Sequence, residues 1–201
     1  MPLLEVQSDF SRGIFRSRVS EAGGEMMTEY KKYFDAYCRE HGLSLHLSVD
    51  MPAGYETAKG AFDVSSKTVF INAKGLEKEP VCIKLFYLFH ELRHASQYLE
   101  PERFNETIHR SIQYVIMFDG TCYKLEKNRY LKCKLDGDER YFTNLYLGQP
   151  HEIDANTFAY EQTRKLCGDS AGLKELFDFW VPRQVVSDDE YNKIFVLIDE
   201  K

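Results

Sequence analysis

The sequence has no long uninterrupted apolar run. Its longest, about residues 81–89, is broken by Lys84 and is too short to span a bilayer, so no membrane association is expected. The segment Met1-Pro2-Leu3-Leu4-Glu5-Val6 lacks a basic stretch followed by an apolar one, so no signal peptide is read there. Cysteine is sparse and poorly spaced for pairing. The five residues Cys38, Cys82, Cys122, Cys133 and Cys167 include no Cys-x-x-Cys, which disfavours a disulfide framework and a zinc ribbon. Reduced thiols in a cytoplasm fit best, while Cys122 and Cys133 can face each other across a hairpin and leave a redox pairing open. Positive charge is also in deficit: 26 Lys and Arg stand against 32 Asp and Glu, for a net charge of −6. A sequence-independent nucleic-acid binder would carry a basic face, so no nucleic-acid partner is expected. Repeats and low-complexity linkers are missing too. Asp136-Gly137-Asp138-Glu139 lacks the spacing of a calcium loop and reads as a solvated turn.

What is present suffices for a sizeable core: 201 residues, 43% hydrophobic and 14% aromatic. One α+β domain over residues 1–201 is expected, with residues 1–22 as a loosely held arm. Apolar positions Met26, Met27, Tyr30, Phe34, Tyr37 and Cys38 recur at helical spacing between Glu25 and His41, and Gly42 is placed to cap that helix. Residues 43–49 alternate as a half-buried strand, with His46 on its polar face. Residues 60–64 and 68–72 read as an antiparallel hairpin, whose open edge can hold an extended peptide by strand addition. A largely apolar helix follows from about Glu79 to Tyr98. Beyond it, residues 104–114 read as helical, and 121–125 with 130–135 as a hairpin turning at Glu126-Lys127-Asn128-Arg129. Pro150 and Gly168 frame a helix over 151–167, another spans 170–180, and Ser187-Asp188-Asp189-Glu190 is a capping box opening a terminal helix.

The chemistry concentrates in His90-Glu91-Leu92-Arg93-His94. On a helix each residue advances by about 100°, so His90 and His94 share a face and both reach one ion. Two neutral nitrogens can hold Zn²⁺, which acidifies a water, and the neighbouring Glu91 can take its proton as general base. Burying two imidazoles and a carboxylate side by side is costly without such a partner. In the helix after Pro150, Glu152, Ala155, Asn156 and Ala159 share a face, whereas Asp154 points about 200° away from Glu152. Glu152 is therefore the expected third metal ligand, with His151 competing and Asp154 less so. Asn156 is placed to hydrogen-bond a ligating histidine, and the alanines to let the two helices approach.

His90-Glu91-Leu92-Arg93-His94-Ala95, followed by Glu152-Ile153-Asp154-Ala155-Asn156-Thr157-Phe158-Ala159, resembles the ImmA/IrrE family of zinc metallopeptidases. The resemblance covers about residues 60–166. It implies a zincin-like fold, a small antiparallel or mixed sheet packed on the metal-binding helix, one Zn²⁺, and cleavage of a repressor or regulatory protein in a bacterium or mobile element. The segment 102–148 between the motifs is an insertion in which substrate choice is expected to lie. Tyr87, His109, Tyr114, Tyr146 and His151 are candidates to stabilise the oxyanion. Two other readings compete with a peptidase acting on a protein or peptide substrate. One is a non-catalytic zinc-binding interaction module, which would have no use for Glu91. The other is a DNA-associated SprT-like protease, which the acidic balance and missing zinc ribbon disfavour.

Overall fold

In the computed structural model, residues 21–126 and 129–201 are described. The expected arm therefore lies almost wholly outside the described residues, as does the centre of the 126–129 turn. Helix α1 (Glu21–His41) puts Tyr30, Phe34 and Tyr37 into the core at spacings of four and three residues. A three-stranded mixed sheet follows. Strand β1 (His46–Ser48) runs parallel to β3 (Thr68–Ile71), and β2 (Gly60–Asp63) pairs antiparallel with β3 as the hairpin predicted. β2 is an edge strand, although its Gly60, Ala61 and Phe62 are buried.

Helix α2 (Val81–Leu99) lies against this sheet and carries the His-Glu-x-x-His motif. Its Leu85, Leu88, Leu92 and Ala95 are fully buried with Val69 and Ile71 of β3, and each such leucine contributes on the order of 1.5–3 kcal/mol. The Tyr37 hydroxyl meets Ser96 Oγ at 2.6 Å and ties α1 to α2. Pro101 stops α2 and opens a single 3-10 turn.

The segment between the motifs differs most from expectation. In place of a helix over 104–114 there is a short α3 (Glu106–Ser111), capped by Asn105, and then strand β4 (Tyr114–Ile116). β4 pairs with β5 (Thr121–Glu126), which pairs with β6 (Arg129–Lys134) in the expected hairpin. Short apolar runs do not separate helix from strand by period, and cross-strand pairing decided the matter here. The polar loop at 136–139 is also the start of a helix. The Asp138 side chain accepts from the backbone N–H groups of Arg140 and Tyr141 and so caps α4 (Glu139–Leu147), a role its sequence neighbours disguised.

Helix α5 (Pro150–Cys167) has Pro150 in its first turn and ends at Gly168, whose φ of +76° is the left-handed geometry a closing glycine supplies. It packs closely on α2, with Ala155 and Ala159 fully buried between them. Helices α6 (Ala171–Phe179) and α7 (Asp188–Asp199) complete the chain, and Ser187 Oγ accepts from Glu190 N–H at the start of α7. Among the described residues the result is an α+β fold of seven helices and two small sheets. One core surrounds α2, and a second lies between the β4–β6 sheet, α4 and α7. No helix among the described residues is long and apolar enough to cross a membrane.

Candidate metal centre

The local periodicity of α2 stacks His90 and His94 one turn apart, with ring centroids 4.5 Å from each other. Their Nε2 atoms converge to 3.0 Å, a contact that needs one proton or one cation between the two nitrogens. Glu152 enters from the first turn of α5. Its Oε2 lies 3.6 Å from each Nε2, and all three side chains are almost completely buried. The ligand atoms of His90, His94 and Glu152 fall within 4.8 Å of one another, so this group can hold a metal ion. A tetrahedral ion with bonds of about 2.1 Å spaces its ligand atoms about 3.4 Å apart, close to the three separations here.

The surroundings set the charge states. Burial, helped by the facing His94, pushes His90 down to about 3, so its ring is neutral. Burial alone would raise the Glu152 carboxyl, but the imidazoles, His94 foremost, hold it down to about 2. Burial would lower His94, and the Glu152 carboxylate outweighs it and leaves His94 raised. Glu91 moves the other way: burial pushes it up to about 8, reinforced by Glu152 and opposed by His94. Its Oε2 is buried without a partner, while its Oε1 side packs on β2. A Cβ at Gly60 would stand 2.8 Å from Glu91 Cγ and Oε1, so glycine is needed there. The sequence pattern offered no sign of this requirement.

Gln97 is a further residue the motif did not reveal. Its Nε2 donates to the His151 carbonyl and to Asp154 Oδ2, both at 2.8 Å. That leaves its Oε1 to accept from His94 Nδ1 at 2.8 Å. His94 is thereby fixed with its proton on Nδ1 and its Nε2 lone pair turned to the cluster. The three-residue spacing from His94 is the signal that could have found Gln97. Asp154 points away from Glu152, as helical geometry predicted, and has a different task. Its carboxylate takes a two-point contact from Arg93, Nε at 2.7 Å and Nη2 at 2.9 Å. Arg93 and Asp154 thus clamp α2 to α5 through residues internal to both motifs.

His151 is fully buried and is not one of the three clustered ligands. Ser111 Oγ approaches its Nδ1 at 2.5 Å, leaving Nε2 aimed at Glu152 Oε1 from 3.7 Å; neither of those two atoms has a hydrogen-bond partner. Burial lowers this imidazole to about 4. Asn156 is buried in a small pocket with His90 and Glu152, near enough to His90 to raise its basicity. No hydrogen bond closes between them, since His90 Nδ1 and Asn156 Oδ1 are both without partners. Of the remaining oxyanion candidates, Tyr87 and Tyr146 line the pocket beside His90. His109 is exposed on α3, and the Tyr114 hydroxyl is held by Asp199, so neither takes part. His46 is exposed on β1.

No family model, curated protein or solved structure matches this chain.

Proposed function

We propose that the protein is a zinc-dependent metallopeptidase with a zincin-like arrangement, related in mechanism to the ImmA/IrrE family that its two motifs resemble. The observation that carries this reading is the buried convergence of His90, His94 and Glu152 next to the unpartnered Glu91 Oε2. His90 and His94 would hold the ion through Nε2 and Glu152 through Oε2. When bound, zinc supplies a Lewis acid that polarises a carbonyl and acidifies a water. A cation held at the cluster would draw the Glu91 carboxyl back to its ionised form, and Glu91 Oε2 would then accept the proton of the attacking water and return it to the leaving amine. Gln97 holds the tautomer of His94, and Tyr87 or Tyr146 donates to the developing oxyanion. The substrate is a protein or peptide, by resemblance a regulatory protein or repressor. The five free cysteines suit a reducing, cytoplasmic setting.

Metal analysis of the purified protein beside a Glu152→Ala variant tests the site, with about one zinc per chain expected for the parent protein and little for the variant. A peptide-library digest with a chelator control then tests the chemistry. Glu91→Gln is expected to keep zinc and lose turnover, and full activity in that variant would remove Glu91 from the role of base.

One observation favours a second reading, a structural zinc site in a non-catalytic interaction module: the pocket beside the cluster encloses only about 10 Å³. Zinc retained by the parent protein and by Glu91→Gln, with no cleavage by either, would support it.

A further inference from the structure

The pocket at the cluster has room for about one water, so a substrate must engage the protein in a neighbouring space first. Such a space adjoins it. A groove of about 830 Å³ runs between α4 and the segment 178–185 and shares Tyr146, Leu147 and Trp180 with the inner pocket. Its size is that of a ligand site rather than a surface wrinkle. Trp180 is 8% exposed and forms part of the wall common to both spaces.

The groove is also where the surface is most apolar. Among the described residues ten large apolar side chains are exposed, and four of them, Tyr141, Phe179, Val181 and Val185, line this groove. Phe179 is 68% and Val185 97% exposed. Apolar surface gathered in one place marks a binding site more often than chance exposure does. Its charged margin mixes both signs, Glu139, Asp178 and Glu190 with Arg140 and Arg183, and so presents no single-sign surface to a charged ligand. The far wall is fixed: the Asn144 carboxamide donates to Gln184 O and accepts from Gln184 N, both at 3.0 Å.

We propose that this groove receives an apolar stretch of the polypeptide substrate, with Trp180 as the partition between bound side chains and the metal pocket. The proposal rests on the peptidase reading and names its substrate class: a segment with aliphatic or aromatic residues beside the scissile bond. Adjacency of the groove to the cluster, through the shared walls Tyr146, Leu147 and Trp180, singles out this occupant.

Trp180 is the only tryptophan in the chain, so intrinsic fluorescence reports on the partition directly. Zinc-loaded Glu91→Gln protein is titrated with acetylated eight-residue peptide amides rich in Leu and Phe, and with matched peptides carrying Lys, Glu or Ser instead. The expected result is a saturable change in Trp180 emission, with the apolar peptides bound about tenfold or more tightly. Phe179→Asp and Val185→Asp are expected to weaken that binding about tenfold without changing zinc content or the melting temperature. Equal binding of all peptides, or apolar binding untouched by both variants, overturns the proposal. So does binding that appears only after residues 1–20 are deleted, which would make the groove's occupant a segment of this chain. A concentration-dependent dimer abolished by Phe179→Asp would assign the groove to a second copy. Failure of the peptidase reading looks different: no metal is retained, or metal is bound and no peptide is ever cut, whatever the titration gives.

Discussion

Two buried polar regions flank the start of α5, and they are built on opposite terms. At Gln149, on the side of the second core, every polar atom of the side chain is used. Its Oε1 accepts from Ile116 N–H at 2.8 Å, and its Nε2 donates to the carbonyls of Ile116 and Tyr146 at 3.0 and 3.3 Å. The carboxamide stands in for a strand neighbour of β4. Two or three residues on, the cluster leaves His90 Nδ1, Glu91 Oε2, His151 Nε2, Glu152 Oε1 and Asn156 Oδ1 buried without hydrogen bonds. An unsatisfied buried polar group costs about 1–3 kcal/mol, so five in one place is a large burden unless a ligand completes them. A satisfied amide marks structure, whereas gathered unsatisfied groups mark a site.

The contrast can be broken most sharply at Glu152. Glu152→Ala removes the ligand that only α5 provides, and zinc affinity measured against a chromophoric chelator should fall by well over the roughly 10–100-fold that loss of a supporting partner costs. Gln97→Leu removes the hydrogen bond to His94 Nδ1 and should weaken zinc about 10–100-fold while leaving an intact far-ultraviolet spectrum. Unchanged affinity in Gln97→Leu would mean that His94 keeps its tautomer without help.

Acidity gives a smaller, graded effect. His94 is raised above its usual 6.5, so a proton competes with the ion for Nε2 as pH falls through and below that raised value. Zinc affinity should therefore drop by about tenfold per pH unit on the acid side, and hold steady above it. His90, already neutral to about 3, should add nothing to the slope near neutrality. Isothermal titration at several pH values checks this.

On the structural side, Gln149→Leu orphans the Ile116 N–H and C=O and should cost about 1–3 kcal/mol in denaturant unfolding, with zinc affinity unchanged. A loss of zinc there would show that the two regions are coupled through the first turn of α5.

Local patterns were readable where their cause is local. The pairing of His90 with His94, the ends of α5 at Pro150 and Gly168, the Ser187 cap and the two hairpins follow from helix period, φ preference and turn chemistry over a few residues. Cys122 and Cys133 sit directly opposite each other in β5 and β6, as the hairpin required, and both remain thiols. β4 and α4 escaped because their signals are weak locally: a three-residue strand depends on a neighbour to pair with, and Asp138 among acidic residues resembles any solvated turn.

The sequence by itself determined that two imidazoles and a carboxylate would share a neighbourhood on α2, because 3.6 residues per turn allows little else. It also determined which face of α5 bears Glu152. Only the tertiary structure decided that these two faces meet, through the fully buried Ala155 and Ala159, the Arg93–Asp154 clamp and Gln97 spanning both helices. The clearance at Gly60, the pairing of Ser111 with His151 and the groove beside Trp180 likewise belong to packing. Contacts between distant segments depend on how whole surfaces fit, and no short window of sequence encodes that fit.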